Sequence, residues 1–192
     1  MSDLSLPAWA AYPDRPLRRA INRAPILLYR LGLGPLVGRL VMIMSTTGRS
    51  TGLIRRTAIE HHLCAGRIYV MSGYGARPDW YQNLLADSRV TLQLGAQVYH
   101  ARGRRVTDEL ELHAAYDCFE QRPVLRAMAR LLGVDLTRES FLAHRERFYL
   151  VTFDPTDEPT PPPLPADLRW IWLVVLALVA VALRARHRAV TI

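Results

Sequence analysis

Short apolar runs of strand length alternate with tight turns between residues 40 and 106, and this feature limits the fold more than any other. The turns hold glycine, and connections this short join strands that run antiparallel. Strands at this density predict a mainly β (α+β) domain, either a barrel or a sandwich, with about six antiparallel strands. The predicted strands are 40–44, 55–63, 67–72, 90–94, 97–106 and 147–153.

Helical patterns surround the strands. Pro25 and Pro35 are expected to interrupt the helical stretch at 16–39, because proline removes a backbone donor and clashes with the preceding turn. Pro78 is instead expected to open a helix, because proline is favoured in the first helical turn. Further helices are predicted at 107–119, 123–133 and 137–145.

The C-terminal part of the chain has a different composition. Residues 154–165 hold six prolines, which predicts a stiff, extended linker. Residues 170–183 contain no charged or polar side chain, which predicts a membrane-associated hydrophobic helix that either spans the bilayer or lies in it. We therefore divide the chain into a basic and apolar helical segment, a globular domain, a proline-rich linker and a hydrophobic helix with a basic end, at 1–39, 40–154, 155–168 and 169–188.

The positive charge comes from arginine alone. There are 25 Lys+Arg residues, none of them lysine, and the formal net charge is +8. This excess favours an anionic partner, such as phosphate, nucleic acid or a lipid headgroup. Arginine suits two-point contacts with phosphate. Nucleic acid is disfavoured, because neither a recognition helix nor a surface of aromatic and basic side chains can be assigned.

Two cysteines and a histidine pair set the redox and metal expectations. Cys64 and Cys118 are far apart in sequence and no secretory signal pattern precedes them, so we expect two reduced thiols in a cytoplasmic protein, and nothing in the sequence favours a disulfide. His61 and His62 point to opposite faces of a strand and cannot share an ion. His62 and Cys64 share a face, but two ligands are too few for zinc, so no metal site is predicted.

Two stretches carry the residue types of a binding site for an anion and a ring. Residues 45–52 combine glycines, hydroxyl side chains and an arginine, so backbone N–H groups are accessible to an anion. Arg49 and Arg55 flank this turn and are expected to converge on one phosphate. Residues 72–83 contain glycines followed by Trp80 and Tyr81, which suit the wall of a planar ligand. The plainer alternatives are an ordinary turn and a core tryptophan.

Taken together, the two stretches resemble the deazaflavin-dependent nitroreductase family, which shares a split β-barrel with the flavin-mononucleotide oxidoreductases. One family pattern is Thr-Thr-Gly-Arg, followed by a glycine and a downstream arginine. The other is Ser-x-x-Gly, followed by Trp-Tyr-x-Asn-Leu. In this chain the patterns are found at 46–49, Gly52 and Arg55, and at Ser72, Gly75 and 80–84.

The resemblance covers about residues 31–153 and implies a split β-barrel that binds coenzyme F420, an 8-hydroxy-5-deazaflavin. Arg49 and Arg55 would hold its phosphate and acidic tail, and Ser72 would lie beside its ring. The residues implied to bind the coenzyme are Thr46, Thr47, Gly48, Arg49, Ser50, Arg55, Ser72, Gly73, Tyr74, Trp80 and Asn83. The candidate catalytic residues are Ser72, Tyr74 and Tyr116.

The implied activity is an F420-dependent quinone or nitro reductase that transfers hydride from the reduced coenzyme. The apolar segments at both ends point toward lipid, so we expect a lipophilic, quinone-like acceptor and a location at the cytoplasmic face of the cell membrane. The alternatives are FMN or haem in the same fold, and a membrane-tethered binding protein without turnover. The family often has lysine where this chain has Ser50 and Gly73, which predicts a weaker hold on the acidic tail. The oligomeric state is left open.

Overall fold

One antiparallel sheet forms the body of the chain, in a computed structural model that describes residues 16–72, 74–121, 137, 139 and 149–190. Its strands are β1 (Val41–Thr47), β2 (Ile54–Glu60), β3 (His62–Cys64), β4 (Arg67–Ser72), β5 (Arg89–Leu94), β6 (Gln97–Arg105) and β7 (Tyr149–Pro155). They lie in the order β2-β1-β5-β6-β7-β4-β3, and every neighbouring pair is antiparallel. This fits the predicted split barrel with flanking helices.

The two edges of the sheet are joined by a single residue, His61. The sequence predicted one strand at 55–63, but β2 pairs with β1 as far as Glu60, whereas β3 pairs with β4 from His62 onward. The strand therefore splits in two, which gives seven strands where about six were expected. Because β2 and β3 are opposite edges of the sheet, this short link requires the sheet to curl until its edges approach each other.

The helices are α1 (Pro16–Arg30), α2 (Gly34–Val37), α3 (Asp79–Ala86), α4 (Glu109–Glu120) and α5 (Ile171–Val190). The predicted break at Pro25 is wrong, since α1 continues through it. Ile26 and Tyr29 pack against the sheet just beyond this proline, and that packing outweighs the lost backbone hydrogen bond. Pro35 lies in the first turn of α2 and so begins a helix. The helices predicted at 123–133 and 137–145 lie outside the described residues, apart from Thr137 and Glu139.

The concave side of the sheet encloses the main core. Alternate residues of the strands point inward, including Met42 and Met44 of β1 and Val151 of β7, and all three are fully buried. Helix α3 closes this core with Trp80 and Leu84. The core therefore fixes α3 against the end of the sheet where the β1–β2 hairpin lies.

The outer face of β1 and β5 is covered by α1 and by the stretch that follows β7. The Tyr29 hydroxyl of α1 donates to the Val41 carbonyl at 2.9 Å and accepts from the Gly95 N–H at 2.9 Å. Beyond Pro155 the proline-rich residues have no helix or strand, and Leu164 among them is buried against the sheet. The Gln93 side chain accepts from the Leu164 N–H at 3.1 Å. The linker sequence thus packs along the sheet, while its stiff, extended character and the division of the chain into four stretches stay predictions.

The expectation of two reduced thiols is wrong, because Cys64 and Cys118 form a disulfide. Helix α4 packs against the outer face of β3 and β4, where Leu112 and Phe119 meet Tyr69. This packing brings the two Cα atoms to 5.9 Å, within the range that a disulfide spans. The 54-residue separation in sequence therefore says nothing about their distance in the fold.

Helix α5 is held by contacts at its N-terminal base, and the rest of its length is exposed. The Trp172 indole N–H donates to the Leu31 carbonyl at 2.8 Å, and Arg30 makes a two-point ion pair with Asp167. Beyond this base the apolar side chains, such as Leu173 and Leu176, are exposed. None of the helices within the described residues combines the length and the hydrophobicity that a bilayer crossing requires.

Candidate functional site

The β1–β2 hairpin is a tight turn that depends on its glycines. The Gly48 N–H donates to the Leu53 carbonyl at 2.8 Å, and the Gly52 N–H donates to the Gly48 carbonyl at 2.8 Å. A Cβ atom on Gly48 would lie 3.0 Å from the Leu53 carbonyl oxygen, and Gly52 has a φ of +66°. The turn therefore requires glycine at both positions, and it exposes Ser50 at its tip.

Strand register decides which hairpin side chains face the site. Thr46 pairs with Arg55, and alternation along β1 puts both on the inward side with Met44. Thr47 therefore points to the opposite side, where its hydroxyl contributes to lowering the pKa of Asp87, a shift caused mainly by Arg89. Of the two predicted threonines, the structure brings only Thr46 to the inward side with Arg55.

Arg49 is tied to helix α3 by three contacts. Its backbone N–H donates to the Asn83 side-chain Oδ1 at 3.1 Å, and its Nη1 donates to the same oxygen at 3.2 Å. The same Nη1 makes an ion pair with Asp79 at 3.0 Å. The Asn83 amide donates in turn to the Thr46 hydroxyl at 3.5 Å. Asn83 is 3% exposed, so its buried side chain links the hairpin to helix α3 by hydrogen bonds.

The loop between β4 and α3 is braced from inside. The buried Ser72 hydroxyl donates to the Gly75 carbonyl at 2.6 Å. The Gln82 side-chain amide donates to the Ala76 carbonyl at 2.6 Å. Tyr74 is half-buried within this loop, and Gly73 lies outside the described residues. The loop thus runs from a buried serine to the start of α3 with its turn held by side chains.

Aromatic rings connect α3 to the sheet. The ring of Tyr81 lies 5.7 Å from that of Trp80 and 5.3 Å from that of Tyr149, between ring centroids. Tyr149 pairs with Ser72 across β4 and β7, and the Arg105 guanidinium stacks on its ring at 3.7 Å. Trp80 and Tyr81 are both buried in the main core, and Tyr149 packs against it. The ring wall next to Ser72 is therefore the Tyr149 side chain, which Tyr81 supports from the core.

The structure brings together most of the predicted residues and separates one of them. Tyr116 lies on α4, whose apolar face packs with the disulfide on the outer side of the sheet, so it is on a different element from the hairpin and α3. The sequence prediction missed Asp79, Tyr149 and Arg105. Asp79 stands four residues before Asn83, a spacing that puts both on one face of a helix, so this signal was available.

The charges around the hairpin are unbalanced. Among the described residues, Arg49 and Arg55 have one carboxylate partner between them, Asp79. Within the described residues Arg55 contacts a neutral group, its Nη2 donating to the Thr51 hydroxyl at 3.4 Å. The hairpin therefore offers a surplus of positive charge to an anion, whereas its backbone N–H groups at Gly48, Arg49, Thr51 and Gly52 already donate within the protein. No group of three His, Cys, Asp or Glu side chains that could hold a metal ion occurs in the part of the chain that the structure describes.

Solved structures that align with this chain include a reductase, an oxidase and a protein described as hypothetical. One is an F420-H2 dependent reductase, with a TM-score of 0.41, 18% identity, and coverage of 60% of this chain and 95% of that chain. A putative pyridoxamine 5'-phosphate oxidase from Listeria innocua has a TM-score of 0.43 and 10% identity, covering 65% and 90%. A conserved hypothetical protein from Mycobacterium tuberculosis has a TM-score of 0.42 and 18% identity, covering 70% and 84%.

The family comparison is more informative. Residues 25–124, just over half of the 192-residue chain, match the family model described as F420H(2)-dependent quinone reductase. The matched range contains the β1–β2 hairpin, the loop after β4 and helix α3, which are the elements of the candidate site. The chain therefore belongs to the F420H(2)-dependent quinone reductase family.

Proposed function

We propose that this chain transfers hydride from reduced coenzyme F420 to a lipophilic, quinone-like acceptor at a membrane surface. Family membership makes the chain an oxidoreductase with F420 as its cofactor, which selects the deazaflavin over FMN and haem. The observation that carries the proposal is the hairpin itself, where two arginines with a single carboxylate partner lie next to a ring wall. A hairpin that was only a turn would not need this surplus charge.

The hairpin fits the phosphate and acidic tail of the coenzyme. Its charged groups, the Arg49 and Arg55 guanidinium groups, are both donors, and the Thr51 hydroxyl accepts from Arg55. Gly48 is buried and its N–H donates to the Leu53 carbonyl, so it fixes the turn, whose exposed tip is Ser50. We propose that Arg49, Ser50 and Arg55 hold the phosphate end. Thr46 and Gly48 are buried and support the hairpin from inside, and Thr47 is left out because it faces the other side of the sheet.

The loop after β4 fits the ring of the coenzyme. In this proposal the ring lies against Tyr149, which Tyr81 supports from the core, near Ser72 and Tyr74. The Ser72 side chain is buried and its hydroxyl donates to the Gly75 carbonyl, so it holds the loop in place beside the ring. Trp80 and Asn83 support this wall from the core and from the hairpin.

When bound in its reduced form, the coenzyme supplies the hydride. The chain orients the ring, binds the phosphate and keeps water from one face of the site through its buried aromatic side chains. Among the predicted catalytic residues, Ser72 has its proton engaged with Gly75, and Tyr116 lies on another helix. Tyr74 lies in the loop itself and is half-buried, and we propose its hydroxyl as the proton donor to the acceptor.

The exposed apolar side chains support an acceptor dissolved in lipid. Helix α5 presents Trp172, Leu173 and Leu176 to solvent, and Leu36 and Leu40 are also exposed. We propose that α5 lies within the lipid interface, with these apolar side chains in contact with lipid. The cytoplasmic side stays a prediction, and the disulfide removes the argument for it that rested on reduced thiols.

The test is anaerobic oxidation of reduced F420 by the purified full chain, followed by coenzyme absorbance. We expect turnover with a water-soluble quinone, slower turnover with an aromatic nitro compound, and a higher rate with a long-chain quinone in liposomes. Tyr74→Phe is expected to lower kcat with little change in the KM for coenzyme. Coenzyme binding without oxidation by any quinone would contradict the proposed acceptor and leave the family assignment intact.

A further inference from the structure

We infer that Asp79 is an internal counter-ion that competes with the coenzyme's phosphate for Arg49 and thereby sets the affinity for the coenzyme. This inference rests on the proposed role of Arg49 in phosphate binding. It assigns a specificity-determining role to a residue outside the predicted site. Among the described residues, Asp79 makes its ion pair with Arg49.

The geometry puts Asp79 on one of the guanidinium nitrogens of Arg49. Nη1 of Arg49 lies 3.0 Å from Asp79 Oδ1 and 3.2 Å from Asn83 Oδ1, so both of its hydrogens have acceptors. A two-point contact between guanidinium and phosphate that includes Nη1 requires one of these acceptors to leave. Asn83 is buried and also holds the Arg49 backbone N–H, whereas Asp79 is at the surface, so Asp79 is the acceptor that gives way.

The ion pair is weak enough to be displaced. The side chains of Arg49 and Asp79 are 39% and 79% exposed, and exposed pairs contribute little because water screens them. A bound phosphate would be within a few ångströms of the Asp79 carboxylate if Arg49 bridged them, and the two negative charges would repel each other. The competing ion pair and the repulsion between Asp79 and the phosphate both oppose binding of a phosphate-bearing ligand, and both depend on salt.

A purely structural role for Asp79 makes a different prediction. Asp79 is the first residue of α3, where a negative charge favours the helix N-terminus. Its removal would then lower the stability of α3 and would weaken or leave unchanged the binding of every ligand. The counter-ion role instead predicts tighter binding that is specific to the phosphate-bearing ligand.

The experiment is a fluorescence titration of the full chain with F420 and with the phosphate-free deazaflavin riboside. For Asp79→Asn at low salt we expect about a threefold lower Kd for F420 and no change for the riboside, with the gain shrinking as salt rises. Asp79→Ser, which keeps a residue favoured near helix N-termini, should do the same. Asp157→Asn, an equal charge change at an exposed site, should leave both Kd values unchanged.

Two further variants distinguish a failure of the counter-ion inference from a failure of the proposed phosphate site on which it rests. Arg49→Ala should weaken F420 binding, and adding Asp79→Asn to it should then give a smaller gain than in the wild-type background. If Arg49→Ala leaves the F420 affinity unchanged, the proposed phosphate site is wrong. If Arg49→Ala weakens binding but both Asp79 variants bind F420 with unchanged or higher Kd, or gain equally for the riboside, only the counter-ion inference is overturned.

Discussion

Two arginine pairs on opposite parts of the sheet differ in how their charge is matched. Arg67 and Arg104, beside the disulfide, share the two carboxylates of Glu111 and Asp154 in a closed network. These pairs border a cavity of about 400 Å³ between β3, β4 and α4. Arg49 and Arg55, on the hairpin, have one carboxylate between them in the described residues.

The difference separates structural charges from charges available to a ligand. In the first cluster each positive group already has its counter-charge, and the network raises the pKa of Arg104, mainly through Glu111. In the second cluster the positive charge exceeds the negative charge among the described residues. We therefore assign the proposed anion site to the hairpin, and not to the cavity.

The largest effect should come from the disulfide. Cys64→Ser with Cys118→Ser should lower the free energy of unfolding by about 3–4 kcal/mol, because the crosslink closes a 54-residue loop. The Kd for F420 should stay unchanged in the folded variant, since the bond lies beside the matched cluster. Urea unfolding and a coenzyme titration measure both quantities. If the variant folded normally but bound F420 much more weakly, the disulfide region and the hairpin would not be independent.

Removing the buried Asn83 side chain should change both the stability of the fold and the affinity for F420. Asn83→Ala leaves the Arg49 N–H and the Thr46 hydroxyl without their buried partner, so we expect a loss of about 2 kcal/mol of stability and weaker F420 binding. Thr152→Val removes a buried hydroxyl that donates to the Ile68 carbonyl at 3.2 Å, far from the hairpin. This control should lose stability alone. Equal losses of affinity in both variants would contradict the role of Asn83.

Adjacent arginines of β2 offer a matched pair. Arg55 faces inward with Thr46, whereas Arg56 lies on the other side, where it contacts the Pro163 carbonyl at 3.4 Å. Arg55→Ala should raise the Kd for F420 about fivefold, or about 1 kcal/mol, and Arg56→Ala should leave it unchanged. The same titration measures both. Equal effects of the two variants would mean that net charge, not position, attracts the coenzyme.

The smallest effect concerns the ion pair beside the hairpin. Arg89 lowers the pKa of Asp87 below its ordinary value of 3.8, so the ionised carboxylate stabilises the fold. This contribution is present above pH 3.8 and is lost as the pH falls through the lower folded-state value. Asp87→Asn should therefore lower the free energy of unfolding by less than about 1 kcal/mol at pH 7, and the difference from wild type should narrow below pH 4. Urea unfolding at several pH values measures it, and a stability difference that did not change with pH would exclude this charge effect.

Local patterns predicted the strands and most of the hairpin. Turn glycines and strand alternation are local properties, and β4 and the start of α3 were predicted at their observed residues. The break at His61 was missed, because it depends on which edges the two halves of the strand pair with. The helix through Pro25 was missed for a similar reason, since packing against the sheet stabilises it.

Contacts between distant segments explain what the sequence did not predict. The Cys64–Cys118 bond requires α4 to lie on β3, and neither cysteine carries that information in its local pattern. The Tyr81–Tyr149 contact joins α3 to the last strand. Asp79 was predictable from its helical spacing to Asn83, but its pairing with Arg49 depends on how the hairpin meets α3. Residues within one element were thus predicted better than pairs between elements.

The most direct test of the account is an F420 titration of Arg49→Ala beside Arg104→Ala, each in the full chain at low and high salt. We expect Arg49→Ala to raise the Kd for F420 about tenfold, which is roughly 1.4 kcal/mol of binding free energy, and to make the affinity less dependent on salt. We expect Arg104→Ala to lose stability while its Kd stays within about twofold of wild type. Unchanged affinity in Arg49→Ala, or an equal loss in both variants, would contradict the claim that the unmatched arginines of the hairpin hold the coenzyme.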